Sequence, residues 1–175
     1  MPTLPPSQSN GRPRRRLLKA ALQGAAVGGA GDIAFAIVLA ASRGMAPTRL
    51  LQVVASGAFG RAAFDGGLPL AAAGLGLHFM ISLIWAAVFV GLAARFAILT
   101  RNVFAAAIAC GLVVFLAMRG VVLPLSAFPF PVTVKSFFTF PAFLDLLSHV
   151  FLFALPIAWF ARRQLGSGDD AQVAS

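Results

Sequence analysis

Four long runs of apolar residues, separated by short polar or proline-rich stretches, set the pattern of this chain. They occupy about residues 20–42, 71–94, 103–123 and 141–161. Each approaches the roughly 20 residues an α-helix needs to cross a hydrocarbon core. The pattern predicts an all-α polytopic membrane protein, a bundle of four transmembrane helices over residues 20–163. The flanks, 1–19 and 164–175, read as disordered tails, the first proline-rich and then basic.

The connections carry their own pattern. After the first run, PTRLLQVVAS predicts a short amphipathic helix. Pro47 suits its first position, Leu50, Val53 and Val54 share one face, and Gly57 can end it. Such a helix is expected to lie in the membrane interface. The glycine-rich GAFGRAAFDGG that follows predicts irregular chain. Between the third and fourth runs, Pro124, Pro129, Pro131 and Pro141 bar a continuous helix. Pro156, inside the fourth run, predicts a kink.

Composition strengthens the membrane reading. The 175 residues are 59% hydrophobic and 11% charged, against about 25% charged in soluble domains. The single cysteine, Cys110, excludes an intrachain disulfide. A net charge of +9 raises the question of nucleic acid. However, the basic residues flank apolar runs rather than form a separate face, so no nucleic-acid partner is expected. With the N-terminus inside, nine Lys and Arg fall on the cytoplasmic side and five on the other. This bias predicts a bacterial inner-membrane protein with both termini in the cytoplasm. The run Arg14-Arg15-Arg16-Leu17-Leu18-Lys19 is similar to a twin-arginine export signal. Asp32 interrupts the apolar segment behind it, and three more spans follow, which favours a retained helix.

Charge inside the runs is the chemically informative part. Asp32, His78, Arg119, Asp145 and His149 fall within them, where ionisable groups are costly and usually face the bundle interior. Counted from the cytoplasmic end of each run, Asp32 and His149 lie 12 residues up, and His78, Arg119 and Asp145 lie 16. These positions correspond to about 18 and 24 Å. All five are expected in the middle and outer half, as a buried polar cluster in which Arg119 pairs with Asp145 in preference to Asp32. The alternative is structural: Arg119 snorkels, Asp145 caps a helix end, and the histidines bond across helices. Gly24, Gly28, Asp32 and Ala36 recur every four residues, as do Gly74, His78, Ser82 and Ala86. These small-residue rows predict close helix packing.

No catalytic motif is present, which points away from an enzyme. Gly29-Ala30-Gly31-Asp32-Ile33-Ala34 fits a dinucleotide fingerprint, but no strand precedes it. His78 and His149 offer ligands for a haem iron or, with Asp145, for another metal. Two histidines also arise by chance, so no cofactor is the expectation.

The stretches LLQVVASGAFGRAAFDGG, GLHFMISLIWAAVF, VVLPLS and SHVFLFALPIAW together resemble a group of bacterial inner-membrane proteins of unknown function. The resemblance covers about residues 20–163 and implies the four-span layout; it brings no activity or site residue with it. Three functions stay open. The chain binds or moves a proton or small solute through the Asp/His/Arg cluster. Or it is a structural subunit whose partners, beyond the lipid bilayer, are other membrane proteins or a second copy of itself. Or it is a haem or metal redox protein.

Overall fold

A computed structural model describes residues 11–166. Among these residues the chain is mostly helical, without strands, and forms a bundle of four helices long and apolar enough to span a membrane. The first, α1, is Gly11–Ala41. The short α2, Pro47–Phe59, precedes the second long helix, α3, Gly67–Arg95. The third is α4, Val103–Leu125, and the fourth is α5, Phe140–Leu165. The protein is thus a polytopic membrane bundle, as its apolar runs predict.

The helix starts follow from local chemistry. Asn102 accepts a hydrogen bond from the Ala105 amide at 3.0 Å and opens α4. Thr139 accepts one from the Ala142 amide at 3.3 Å and opens α5, with Pro141 in its first turn. The basic run Arg14–Lys19 belongs to the first turns of α1 rather than to a tail, because α1 already begins at Gly11. The expectations for residues 1–10 and 167–175 lie outside the described residues.

α1 is the central helix. It packs along both α3 and α5, so it is an integral part of the bundle, as a retained span requires. Ala21, Gly24, Ala25, Gly28 and Gly29 are buried on one face. α5 packs in turn on α4. The half of the bundle holding the start of α1 and the end of α5 is closed by small and β-branched side chains. Ala20, Ala86, Val90, Ala107, Ala154, Ile157 and Ala158 are nearly inaccessible there. Large apolar side chains such as Val38, Ile84, Phe104 and Val113 stay exposed around the outside, where lipid replaces water as their solvent.

Two long helices are not α-helical throughout. Met118–Val122 in α4 and Ser148–Ala154 in α5 are π-helical. Each segment ends just before a proline, Pro124 and Pro156. A proline ring cannot accommodate the carbonyl four residues back, and widening the preceding turn relieves the conflict. The fourth helix therefore answers Pro156 with a π segment.

The connection at the opposite end from the termini differs from the sequence reading in three ways. α2 runs through Gly57 and ends at Gly60, whose φ of 59° reverses the chain. The glycine-rich stretch is ordered as a 3₁₀ helix, Gly60–Phe64. Most important, α2 turns its small and polar face inward. Gln52, Ala55 and Ser56 are buried against the bundle, and the Gln52 amide donates to the Gly67 carbonyl at 3.1 Å. Its apolar residues Leu50, Val53 and Val54 face a cavity instead of the interface. Arg49 stacks over Phe64 at 4.0 Å, and the Ala127 amide donates to the Gly57 carbonyl at 2.9 Å. These contacts tie α2 to both flanking segments.

Candidate functional site

The half of the bundle bearing α2 encloses an open cavity of about 740 Å³, lined by all four long helices and by α2. Drug-sized ligands occupy pockets of roughly 300–1,000 Å³. One wall is apolar, formed by Leu50, Val53 and Val54 of α2 with Leu77, Ile81 and Trp85 of α3. The other is polar, and it carries four of the five ionisable residues that the sequence places at membrane depth.

These four form a chain of contacts across three helices. Ser148 donates its hydroxyl to Asp32 at 2.5 Å, a distance typical of a hydroxyl bonded to a carboxylate. His149 Nδ1 lies 3.8 Å from Asp32 Oδ1 and 3.5 Å from Asp145 Oδ1. The same nitrogen lies 2.8 Å from the Asp145 carbonyl oxygen. A carbonyl only accepts, so Nδ1 carries the hydrogen. Asp145 Oδ2 faces Arg119 Nε at 3.7 Å. The Arg119 guanidinium also donates to the Ser136 carbonyl at 3.4 Å and lies over the rings of Phe115 and Phe137. Phe115 and Phe153 flank the His149 imidazole. Both Arg119 and His149 sit in the π segments, which recur at functional sites in helices.

Two expectations change. The cluster is not sealed in the protein: Asp145 keeps 39% of its side-chain surface exposed and Arg119 24%, because the cavity stands in front of them. And His78 does not join it. Its ring lines the cavity from α3, but Nε2 donates to the Gly29 carbonyl of α1 at 2.9 Å. Height along the bundle matched His78 to the acids, but rotation about α3 aims it elsewhere. This geometry also counts against a metal held by His78, His149 and Asp145. Among the described residues no group of three or more His, Cys, Asp or Glu side chains is placed to hold an ion.

The small-residue rows are consumed inside the bundle. An added Cβ on Gly24 or Gly28 would meet the α5 backbone at Ile157 or Phe153. On Gly74 it would meet the α2 backbone at Leu51 and Ala55. Ser82 is buried beside Gly29. Ser148 and the cavity-facing side of α2 were not foreseen from sequence. Ser148 adjoins His149 in an otherwise apolar run, and that adjacency was the available signal.

The pairing of Arg119 with Asp145 gives a direct test. Arg119→Ala and Asp145→Ala are each expected to destabilise the protein, and the double variant should cost less than their sum by about 1 kcal/mol. Thermal unfolding in one detergent measures it; strictly additive losses would show that the pair does not interact.

Comparison with known protein families, with curated proteins and with solved structures finds no match.

Proposed function

We propose that this membrane protein binds a small solute in the α2-side cavity and moves protons through the Asp32–His149–Asp145 chain. The supporting observation is that two carboxylates each lie within 4 Å of one imidazole on a cavity wall. Ionisable groups kept at membrane depth are costly, and they recur along proton and substrate paths. With His149 protonated, the two carboxylates balance one imidazolium and one guanidinium; without that proton the wall is negative. Solute and proton thereby compete for the same charge.

The reading places the protein in a bacterial inner membrane, within the uncharacterised group its sequence resembles. The basic ends of α1, α3 and α5 then lie in the cytoplasm, and the cavity opens toward the outer side. The packing rows that would support a purely structural subunit are already used between the chain's own helices.

Proton movement tests the proposal. Protein reconstituted in vesicles that enclose a pH-sensitive dye should acidify the lumen faster than empty vesicles under an inward proton gradient. His149→Ala and Asp32→Asn should return the rate to the empty-vesicle value. A wild-type rate equal to that of empty vesicles, or variants as fast as the wild type, would overturn the role of the chain.

A further inference from the structure

We infer that the cavity takes a lipophilic organic cation, an aromatic or aliphatic body bearing one ammonium-like charge. The inference rests on the cavity reading above and adds the ligand's chemical class.

Charge on the polar wall is the first ground. Two carboxylates stand there against one guanidinium. Arg119 is committed: it faces Asp145, donates to the Ser136 carbonyl and lies over two phenylalanine rings. Asp32 has no such fixed cation. Its partners are the Ser148 hydroxyl and the His149 imidazole. Arg43, the other arginine of the lining, is exposed at the end of α1, 11 residues beyond Asp32. A helix rises about 16 Å over that stretch. An anion entering the cavity would meet the unneutralised carboxylate, whereas a cation would neutralise it.

The walls are the second ground. Leu50, Val53 and Val54 of α2 offer apolar surface to a ligand's body. The rings of Phe35, Trp85 and Phe153 also line the space. Aromatic faces attract a weakly hydrated cation and give a hydrated metal ion little. The volume, about 740 Å³, suits an organic body rather than a bare ion.

Ligand and proton compete in this arrangement. Where a proton occupies Asp32 or His149, a bound cation displaces it and that proton leaves to water. The groups facing this pair are Asp145 on α5, Arg119 on α4 and His78 on α3; α2 contributes no ionisable side chain to the lining.

Tetraphenylphosphonium and tetraphenylborate, alike in shape and opposite in charge, separate the outcomes. Each is titrated by equilibrium binding to protein in lipid nanodiscs, with empty nanodiscs as the blank. Tetraphenylphosphonium should bind at least 10-fold more tightly than tetraphenylborate and weaken as pH falls. Asp32→Asn, which keeps a side chain that can accept from Ser148, should weaken it 10-fold or more. Arg119→Gln should strengthen it several-fold by freeing Asp145, a gain that a damaged fold does not produce. Equal binding of the two ions, or tighter tetraphenylborate, would overturn the cation inference and leave the cavity as a binding site. Binding of neither would overturn both.

Discussion

Gly28→Leu is expected to abolish the folded bundle, and Gly28→Ala to cost about 1–3 kcal/mol. A Cβ built on Gly28 lies 2.5 Å from the Phe153 carbonyl oxygen, and one on Gly24 lies 3.0 Å from the Ile157 Cα. The obstacles are backbone atoms of α5, so no rotamer change relieves the clash. The only adjustment is to part α1 from α5, which opens the alanine-rich core they share. Gly111→Ala and Gly74→Ala should behave alike, since their Cβ atoms would run into the Val150 Cα and the Leu51 carbonyl oxygen. Gly76→Ala and Gly91→Ala are the internal controls. Both glycines lie in α3 with open space where a Cβ would go, and neither change should lower the melting temperature. Thermal unfolding of the five alanine variants in one detergent reads the contrast. Equal changes at all five positions would mean that close approach to a neighbouring helix does not set the need for glycine, since helix propensity alone favours alanine everywhere.

The second large effect is a loss of binding without a loss of fold. Ala36→Trp should abolish tetraphenylphosphonium binding, at least 30-fold, with little change in melting temperature. Ala36 lies one turn from Asp32 and lines the cavity, so an indole there fills space that is open. Ala34→Trp is the control. Ala34 is exposed on the same helix outside the lining, and its replacement should bind as the wild type does. Unchanged binding in Ala36→Trp would place the ligand elsewhere on the protein. Equal loss in both variants would indicate general damage to α1.

Residue by residue, legibility followed what one dimension can encode. The four spans were readable because lipid demands long apolar runs and tolerates no unsatisfied backbone. Distance along the axis was readable too. Asp32 and His149 matched in height and lie 3.8 Å apart; Arg119 and Asp145 matched and lie 3.7 Å apart. Rotation about each axis was not readable, and His78, at the same height as Arg119, points to Gly29 instead. The orientation of α2 failed for a related reason. In water an apolar face must turn inward, but in a membrane lipid, protein and an apolar cavity all accept it. Burial of Gln52 became favourable only because the Gly67 carbonyl waits for its amide. The π segments were hidden behind Pro124 and Pro156. A proline announces that a helix must yield, but not whether it bends or widens.

Those two widened turns bear on how such a site is gained or lost. A π turn is what a helix keeps after accepting one extra residue, and removing one residue restores ordinary winding. At Ser148–Ala154, the loss of a single codon would close the widened turn and leave the helix on both sides close to its present rotation. Asp145 would keep its bearing on Arg119, the seam of α1 with Ile157 and Ala158 would stay in register, and the groups inside the turn, Ser148 and His149, would be displaced. The imidazole that stands between Asp32 and Asp145 is therefore a one-residue indel away from displacement, in a bundle whose closed half need not change. Among related chains, length variation of one residue in this stretch would separate those that keep an imidazole between the two acids from those that have traded it for plain packing.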